Sequence, residues 1–421
     1  MKINTLPQGA EYELFSERVR TDKVSYKGNI LNSVESKDIL DASLRLAHNG
    51  KVVISKTSCL KNVDQLVTDA AKTVKYGSEQ SSAFASATDI KSMTLSDSKT
   101  LSSKEMVGIV DELVSKLKKL DPRLTATAEL SHKTIEKTLK TSLGFDGGYK
   151  KTIWDLFAYA TLIQGDDRFD ILSYGLSMHP NLSVQAIVDE IEKQLEWGRN
   201  VVDFKPGSYP VIFAPEEVTN IINPVIASLD GEAFYNKTSP WIDKLGTKVL
   251  DERISLFDDG SIDKHYASKP FDDEGTKTQR NTLVEGGVIK SITLDNEYGA
   301  RLDKPSTGNF DGLNHLFMAP GTKSFDEMVK SIDYGMVITR TMGAWSGNPF
   351  AGIVSGTVSC GLKVENGNIV GRVKDTMFTV NSFEHLNKHV VDISSEQKTM
   401  DVDGFFTLPS LLLDKVVITS E

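Results

Sequence analysis

The segment NVDQLVTDAAKTVKYG, from Asn62 to Gly77, returns in altered form as SVQAIVDEIEKQLEWG, from Ser183 to Gly198. This internal duplication constrains the first half of the chain more than any other feature. Val63 matches Val184, Leu66 matches Ile187, Val67 matches Val188, Ala70 matches Ile191, Lys72 matches Lys193, Val74 matches Leu195 and Tyr76 matches Trp197. The apolar positions recur at helical spacing, and Gly77 and Gly198 stand where a left-handed cap would end each helix. Each copy therefore predicts an amphipathic helix with one buried face.

Upstream of each helix lie strand-like segments: EYELFSERVR, KVSYKGNI and ILDASLRLA before the first, LTATAEL, WDLFAYATLI and FDILSYGLS before the second. Their alternation, with turns such as Asn49-Gly50 and Gly165-Asp166, predicts antiparallel hairpins. Residues 1–198 thus read as a duplicated α+β N-terminal domain, with strand-then-helix repeats at about 1–77 and 122–198. The serine-rich stretch between them, SEQSSAFASATDIKSMTLSDSKTLSSKE, reads either as a mobile segment or as an ordered polar connection.

After Gly198 the pattern changes. A strand at SYPVIFA, a helix from about Pro215 to Ser228 and many short strands follow. In GIVSGTVSCGLKVENGNIVGRVKD, Asn366-Gly367 separates two alternating runs, a strong hairpin signal. Residues 199–421 are expected to form a β-rich domain built on an antiparallel curved sheet or barrel, so the overall class is α+β.

The chain has 421 residues, 39% hydrophobic and 25% charged, with a net charge of -10. That is ordinary globular composition, and the acidic balance argues against a nucleic-acid partner, because phosphate neutralisation needs clustered Lys and Arg. Cys59 and Cys360 lie far apart, so no disulfide framework or CxxC knuckle is available. No signal-peptide core and no apolar run of about 18 residues occurs, which predicts a cytoplasmic location and no membrane contact. No GxSxG, GxxxxGK[ST] or GxGxxG signature is present, so serine-hydrolase and nucleotide-dependent chemistry have no support.

Four polar stretches are the candidate site. Asp272, Asp273, Glu274 and Gly275 form an acidic turn; its carboxylates read as solvated, with one free to pair with Arg280 or Arg301, or alternatively as ligands for a hard cation. Ser306, Thr307, Gly308 and Asn309 form a turn whose amides suit a peptide backbone or an anion. The glycine-containing segments NFDGLN and GAWSGNPFAG offer a wall beside it, in which Trp345, Asn348 and Phe350 supply grip for an extended peptide or, for the aromatics, belong to the core. Of the seven histidines, only His385 and His389 share helical spacing, and no glutamate lies between them. A surface helix carrying two histidines is the expected reading, since an HExxH site needs that glutamate as base.

The order PFDDEG at Pro270 to Gly275, GGVIKS at Gly286 to Ser291, STGN at Ser306 to Asn309 and VENG at Val364 to Gly367 resembles the TldD/PmbA family. The resemblance spans roughly Ser208 to Glu421. It implies a proteolytic assembly in which a subunit with an HExxxH helix and a late cysteine ligand holds zinc beside a metal-free relative. The helix corresponding to HExxxH here is PEEVTNIINPVIASL, without histidine, and the tail DGFFTLPSLLLDKVVITSE lacks cysteine. The resemblance therefore implies the PmbA/TldE-like branch, with no catalytic residue, no metal ligand and no cofactor of its own.

The implied partners are a second copy in isolation, with the dimer contact buried by the β-rich half, or a TldD-like zinc subunit, together with a peptide or unfolded polypeptide substrate. The family label of DNA gyrase modulator comes with the resemblance, while the acidic sequence offers no DNA-binding feature. Two alternatives stay open. One is a self-sufficient homodimeric protein that binds peptide or ligand without cleaving it; the other is an enzyme with Asp272, Glu274 and His265 or His315 as unconventional ligands.

Overall fold

The computed structural model describes residues 6–165, 167–310, 312–344, 346–401 and 404–420. Trp345 and the Asp166 half of the expected Gly165-Asp166 turn lie outside the described residues. The first half builds β1 (Glu11–Lys27), β2 (Ile30–His48), β3 (Lys51–Thr57), α1 (Val63–Thr73), β4 (Ser78–Glu79), α2 (Ser103–Leu120), β5 (Thr125–Thr141), β6 (Asp146–Gln164), β7 (Asp167–Ser177) and α3 (Val184–Trp197). Its seven strands form one antiparallel sheet in the order β4-β3-β2-β1-β5-β6-β7. The first strands of the two repeats lie side by side at its centre, with Val19 opposite Ile135.

The strands are longer than their sequence signals. Of the residues expected as two strands, 11–20 and 23–30, those up to Lys27 make the single strand β1, because Gly28 (φ 61°) and Asn29 (φ 69°) place the turn after Lys27. Asn49 and Gly50 both take positive φ, as the expected two-residue turn requires. The expected left-handed caps are absent: φ is -68° at Gly77 and -93° at Gly198. Crowding explains glycine there instead, since a Cβ at Gly77 would lie 2.1 Å from the Val52 carbonyl oxygen and one at Gly198 2.2 Å from the Phe169 ring.

The helices cover the sheet. From α1, Val63, Leu66, Val67 and Ala70 pack on Leu14, Leu44 and Leu46. The helix α2 begins inside the end of the serine-rich stretch, at Ser103, and its Met106, Val110, Leu113, Val114 and Leu117 join Ile187, Val188 and Ile191 of α3 over β5, β6 and β7.

The second half adds β8 (Gly207–Phe213), α4 (Pro215–Ser228), α5 (Gly231–Tyr235), β9 (Leu256–Asp259), β10 (Arg280–Glu285), β11 (Val288–Ile289), α6 (Asn296–Arg301), β12 (His315–Met318), α7 (Phe325–Lys330), β13 (Tyr334–Met342), β14 (Ile353–Glu365), β15 (Asn368–Val373), β16 (Thr376–Asn381), α8 (Ser382–Lys388), β17 (Val390–Asp401) and β18 (Phe405–Ser420). Strands β8, β13, β14, β16 and β18 pair in a closed ring, a five-stranded barrel that leaves none of these strands with a bare edge. Antiparallel pairs dominate, but β8 runs parallel to β13 and β12 parallel to β18. α4 packs Val218, Ile221, Ile222 and Val225 into the same core as Phe213, Ile338, Phe378 and Leu411.

Polar contacts tie the halves together. Arg372 donates through Nε to the Gly198 carbonyl at 3.0 Å and pairs with Asp167, while Lys137 meets Asp273 at 2.8 Å. Among the described residues no helix is long and apolar enough to cross a membrane.

Candidate active-site cavity

A cavity of about 1170 Å³ lies where the sheet of the first half faces the barrel. β6 and β7 supply Asp155, Phe157 and Tyr174; α3 supplies Glu190 and Trp197; α4 supplies Glu216, Glu217, Asn220 and Asn223; β17 supplies Lys398. α4 starts here because Pro215 occupies its first turn, where its missing N–H costs nothing. Glu216 and Glu217 follow, placing two carboxylates at the positive end of the helix.

The two glutamates have different partners. Glu217 accepts from the Thr341 amide at 2.9 Å, the Thr341 hydroxyl at 2.5 Å and Asn220 Nδ2 at 3.0 Å. Burial raises its pKa against these bonds. Glu216 accepts from Lys398 Nζ at 2.9 Å and from the Tyr174 hydroxyl at 3.3 Å. Lys398 also reaches Glu190 Oε1 at 2.7 Å and sits 4.6 Å from the Tyr174 ring centroid. Burial alone would lower the Lys398 pKa, but the Glu216 and Glu190 carboxylates outweigh it and hold it above the ordinary value. Across the cavity, burial lifts Asp155 to about 6.

The acidic turn is placed differently from expectation. Two of its three carboxylates are not solvated, for Asp272 is fully buried and Glu274 nearly so, while Asp273 is half-buried. Asp272 accepts from the amides of Glu274, Thr276 and Phe310 at 3.1, 2.9 and 3.1 Å. Those bonds shape the turn itself and replace water. Glu274 pairs with Arg45 at 3.3 Å and accepts the Asn296 amide at 3.0 Å; Asp273 pairs with Lys137. The partners are thus neither Arg280, which lies over the Phe257 ring, nor Arg301, which pairs with Glu297. Gly275 takes φ 83°, a conformation that glycine adopts without strain.

Ser306, Thr307, Gly308 and Asn309 are engaged internally and do not line the cavity. The Ser306 hydroxyl donates to the Leu294 carbonyl at 3.0 Å, and Thr307 Oγ1 accepts the Leu294 amide at 2.7 Å. Gly308 has φ 75°, and a Cβ there would lie 2.5 Å from the Lys277 carbonyl oxygen. Asn309 donates to Asp258 at 2.7 Å; the same buried aspartate accepts from the Asn314 and His315 amides at 2.8 and 2.7 Å. Asn348 is exposed and its side chain accepts the Phe350 amide, capping a short turn.

The histidines stand apart from the cavity. His385 is buried instead of lying on the surface, with Nδ1 2.9 Å from the Asn381 carbonyl oxygen. His315 is fully buried beside Thr407 at 2.8 Å, its pKa pushed down by burial to about 3. His265 lies 4.8 Å from His315 by ring centroids, whereas Asp272 and Glu274 are committed to backbone amides, as described. Among the described residues no group of three or more His, Cys, Asp or Glu side chains is arranged to hold a metal ion.

Residues 206–420 match the family model described as the PmbA/TldA metallopeptidase C-terminal domain. The chain belongs to the PmbA/TldD family. Metalloprotease PmbA of Escherichia coli O157:H7 is 28% identical over 193 residues, 45% of this chain and 42% of that protein. A Metalloprotease TldD homolog of Buchnera aphidicola is 28% identical over 193 residues, 43% of this chain and 40% of that protein. The matches thus span less than half the length of these PmbA/TldD relatives. Across nearly the whole chain the fold is shared with TldE from Thermococcus kodakarensis: TM-score 0.91, 21% identity, 97% of this chain and 96% of that one. It is shared as well with a Thermotoga maritima protein described as a candidate modulator of a DNA gyrase: TM-score 0.89, 23% identity, 98% and 96% coverage.

One further relative is the Zinc metalloprotease TldD homolog of Saccharolobus solfataricus, and zinc prefers imidazole and thiolate ligands in a tetrahedral set. α4 presents Glu216, Glu217 and Asn220 to the cavity; Glu217 is saturated by Thr341 and Asn220, and Glu216 is paired with an ammonium. Cys360 also lines the cavity, but it is buried and its thiol pKa is raised by that burial, which disfavours the thiolate a metal needs. This donor set does not fit zinc.

Sequence reasoning found α4 but missed Tyr174, Glu190 and Lys398. Glu190 lies on the recognised helix and was open to notice. Lys398 carries no local signal, because its partners are far away in sequence.

Proposed function

We propose that this chain is the non-catalytic, PmbA/TldE-type subunit of a TldD/PmbA metallopeptidase. It supplies a wall of the chamber in which peptide or unfolded polypeptide is processed, while a TldD-like partner holds the zinc. The observation that carries this reading is α4: the helix opens on the cavity as the resemblance implies, yet offers carboxylates and amides where a peptidase needs imidazoles.

In this reading the chain has no cofactor of its own, acts in the cytoplasm, and forms a homodimer only when its zinc-bearing partner is missing. Mixing it with a TldD-type subunit is expected to give a heteromer that cleaves unstructured peptide, with cleavage lost to a chelator. Absence of both association and altered cleavage would overturn it. The size of the cavity favours one other reading, a homodimeric protein that binds peptide without cleaving it; peptide binding by the isolated chain, unchanged by a TldD-type subunit, would select that reading.

A further inference from the structure

The cavity's acidic wall is organised around an ammonium that belongs to the chain. Lys398 extends from β17 and places Nζ 2.7 Å from Glu190 Oε1 on α3 and 2.9 Å from Glu216 Oε1 on α4. Tyr174 of β7 closes a third side, its ring 4.6 Å from Nζ and its hydroxyl 3.3 Å from Glu216. The Ser173 hydroxyl donates to the other oxygen of Glu190 at 2.7 Å, fixing that carboxylate in place. Four elements from both halves therefore converge on one positive charge.

Two partly buried carboxylates facing one another repel unless a cation sits between them. A divalent metal can meet that need, and so can a lysine ammonium. The ammonium differs in valence and in chemistry: it has no vacant orbital, polarises no carbonyl as a Lewis acid and generates no hydroxide.

We infer that Lys398 is a built-in cation that stands between the Glu190 and Glu216 carboxylates and closes their oxygens, with that of Tyr174, to any divalent ion. Without its ammonium, the remaining donors are all oxygen, a set that suits a hard ion such as Mn²⁺ better than zinc. The inference takes from the proposed function only its choice of site. Cleavage by the mixed subunits tests that function, whereas metal binding by this chain alone tests Lys398.

The experiment titrates Mn²⁺ into the full chain and into Lys398→Met, followed by electron paramagnetic resonance of the free ion. The native chain is expected to take up no Mn²⁺ at this site. Lys398→Met is expected to bind about one ion per chain in the millimolar range or tighter, and adding Glu216→Gln to weaken that binding by about tenfold or more. Equal uptake by the native chain, or none by a folded Lys398→Met, overturns the inference. Should Lys398→Met fail to fold, the native chain labelled with ¹⁵N-lysine carries the test. A slowly exchanging Lys398 ammonium signal that is lost in Glu216→Gln supports the inference, and a freely exchanging one overturns it.

Discussion

At the scale of single residues, burial rather than sequence type decides what the acidic turn does. Glu274 has an ordinary pKa of 4.5 and is pushed up to about 7, chiefly by desolvation, with Arg45 opposing. The folded chain therefore binds this proton more tightly than the unfolded chain does. Stability linked to Glu274 is full below pH 4.5 and is lost as pH rises through about 7. Glutamine keeps the acceptor for the Asn296 amide but never ionises. Glu274→Gln is thus expected to match the native chain in urea unfolding near pH 4 and to exceed it near pH 8, by up to about 3 kcal/mol. A stability difference that moves the other way, with the native chain gaining on Glu274→Gln as pH rises, would show that the Arg45 pair, not desolvation, controls the group. The acids were visible in the sequence, but their burial was not, because Arg45 and Lys137 come from strands 229 and 136 residues away from their partners.

At the scale of elements, legibility followed the range of the interactions. Period-2 and helical patterns are local, so the strands, α1, α3 and α4 could be read, as could the Asn49-Gly50 and Asn366-Gly367 turns. The extent of β1 could not, since its continuation through Arg20 and Lys23 is imposed by pairing with β2 and β5 on both sides. α2 is a different case, because its signal was present and overlooked beside the serine-rich stretch. Ser102 accepts the Glu105 amide at 3.3 Å and Glu105 accepts the Ser102 amide at 2.7 Å, a complete capping box. Ser102→Ala is expected to cost about 1 kcal/mol and Ser102→Asp much less, measured by urea unfolding. Equal losses in the two variants would show that packing of Met106, Val110 and Leu113 alone sets the stability of α2.

At the scale of the whole molecule, the cavity exists only because two separately built sheets meet. The duplicated first half supplies Tyr174 and Glu190, the barrel half supplies Glu216 and Lys398, and neither set makes a binding wall alone. The junction is polar: Arg372 with Asp167, Lys137 with Asp273, Arg45 with Glu274 and Lys398 with Glu190 all cross it. Such pairs contribute modestly when solvated, but separation strands partly buried charges, which is far more costly. Residues 199–421 expressed alone are therefore expected to melt at least about 5 °C below the full chain, and adding residues 1–198 in trans to recover part of that loss. Arg372→Ala in the full chain tests the same junction at one point, because it leaves Asp167 with Lys374 as its remaining cation. A barrel half that melts with the full chain, unaffected by the first half, would mean that the junction holds the cavity in shape without stabilising either side.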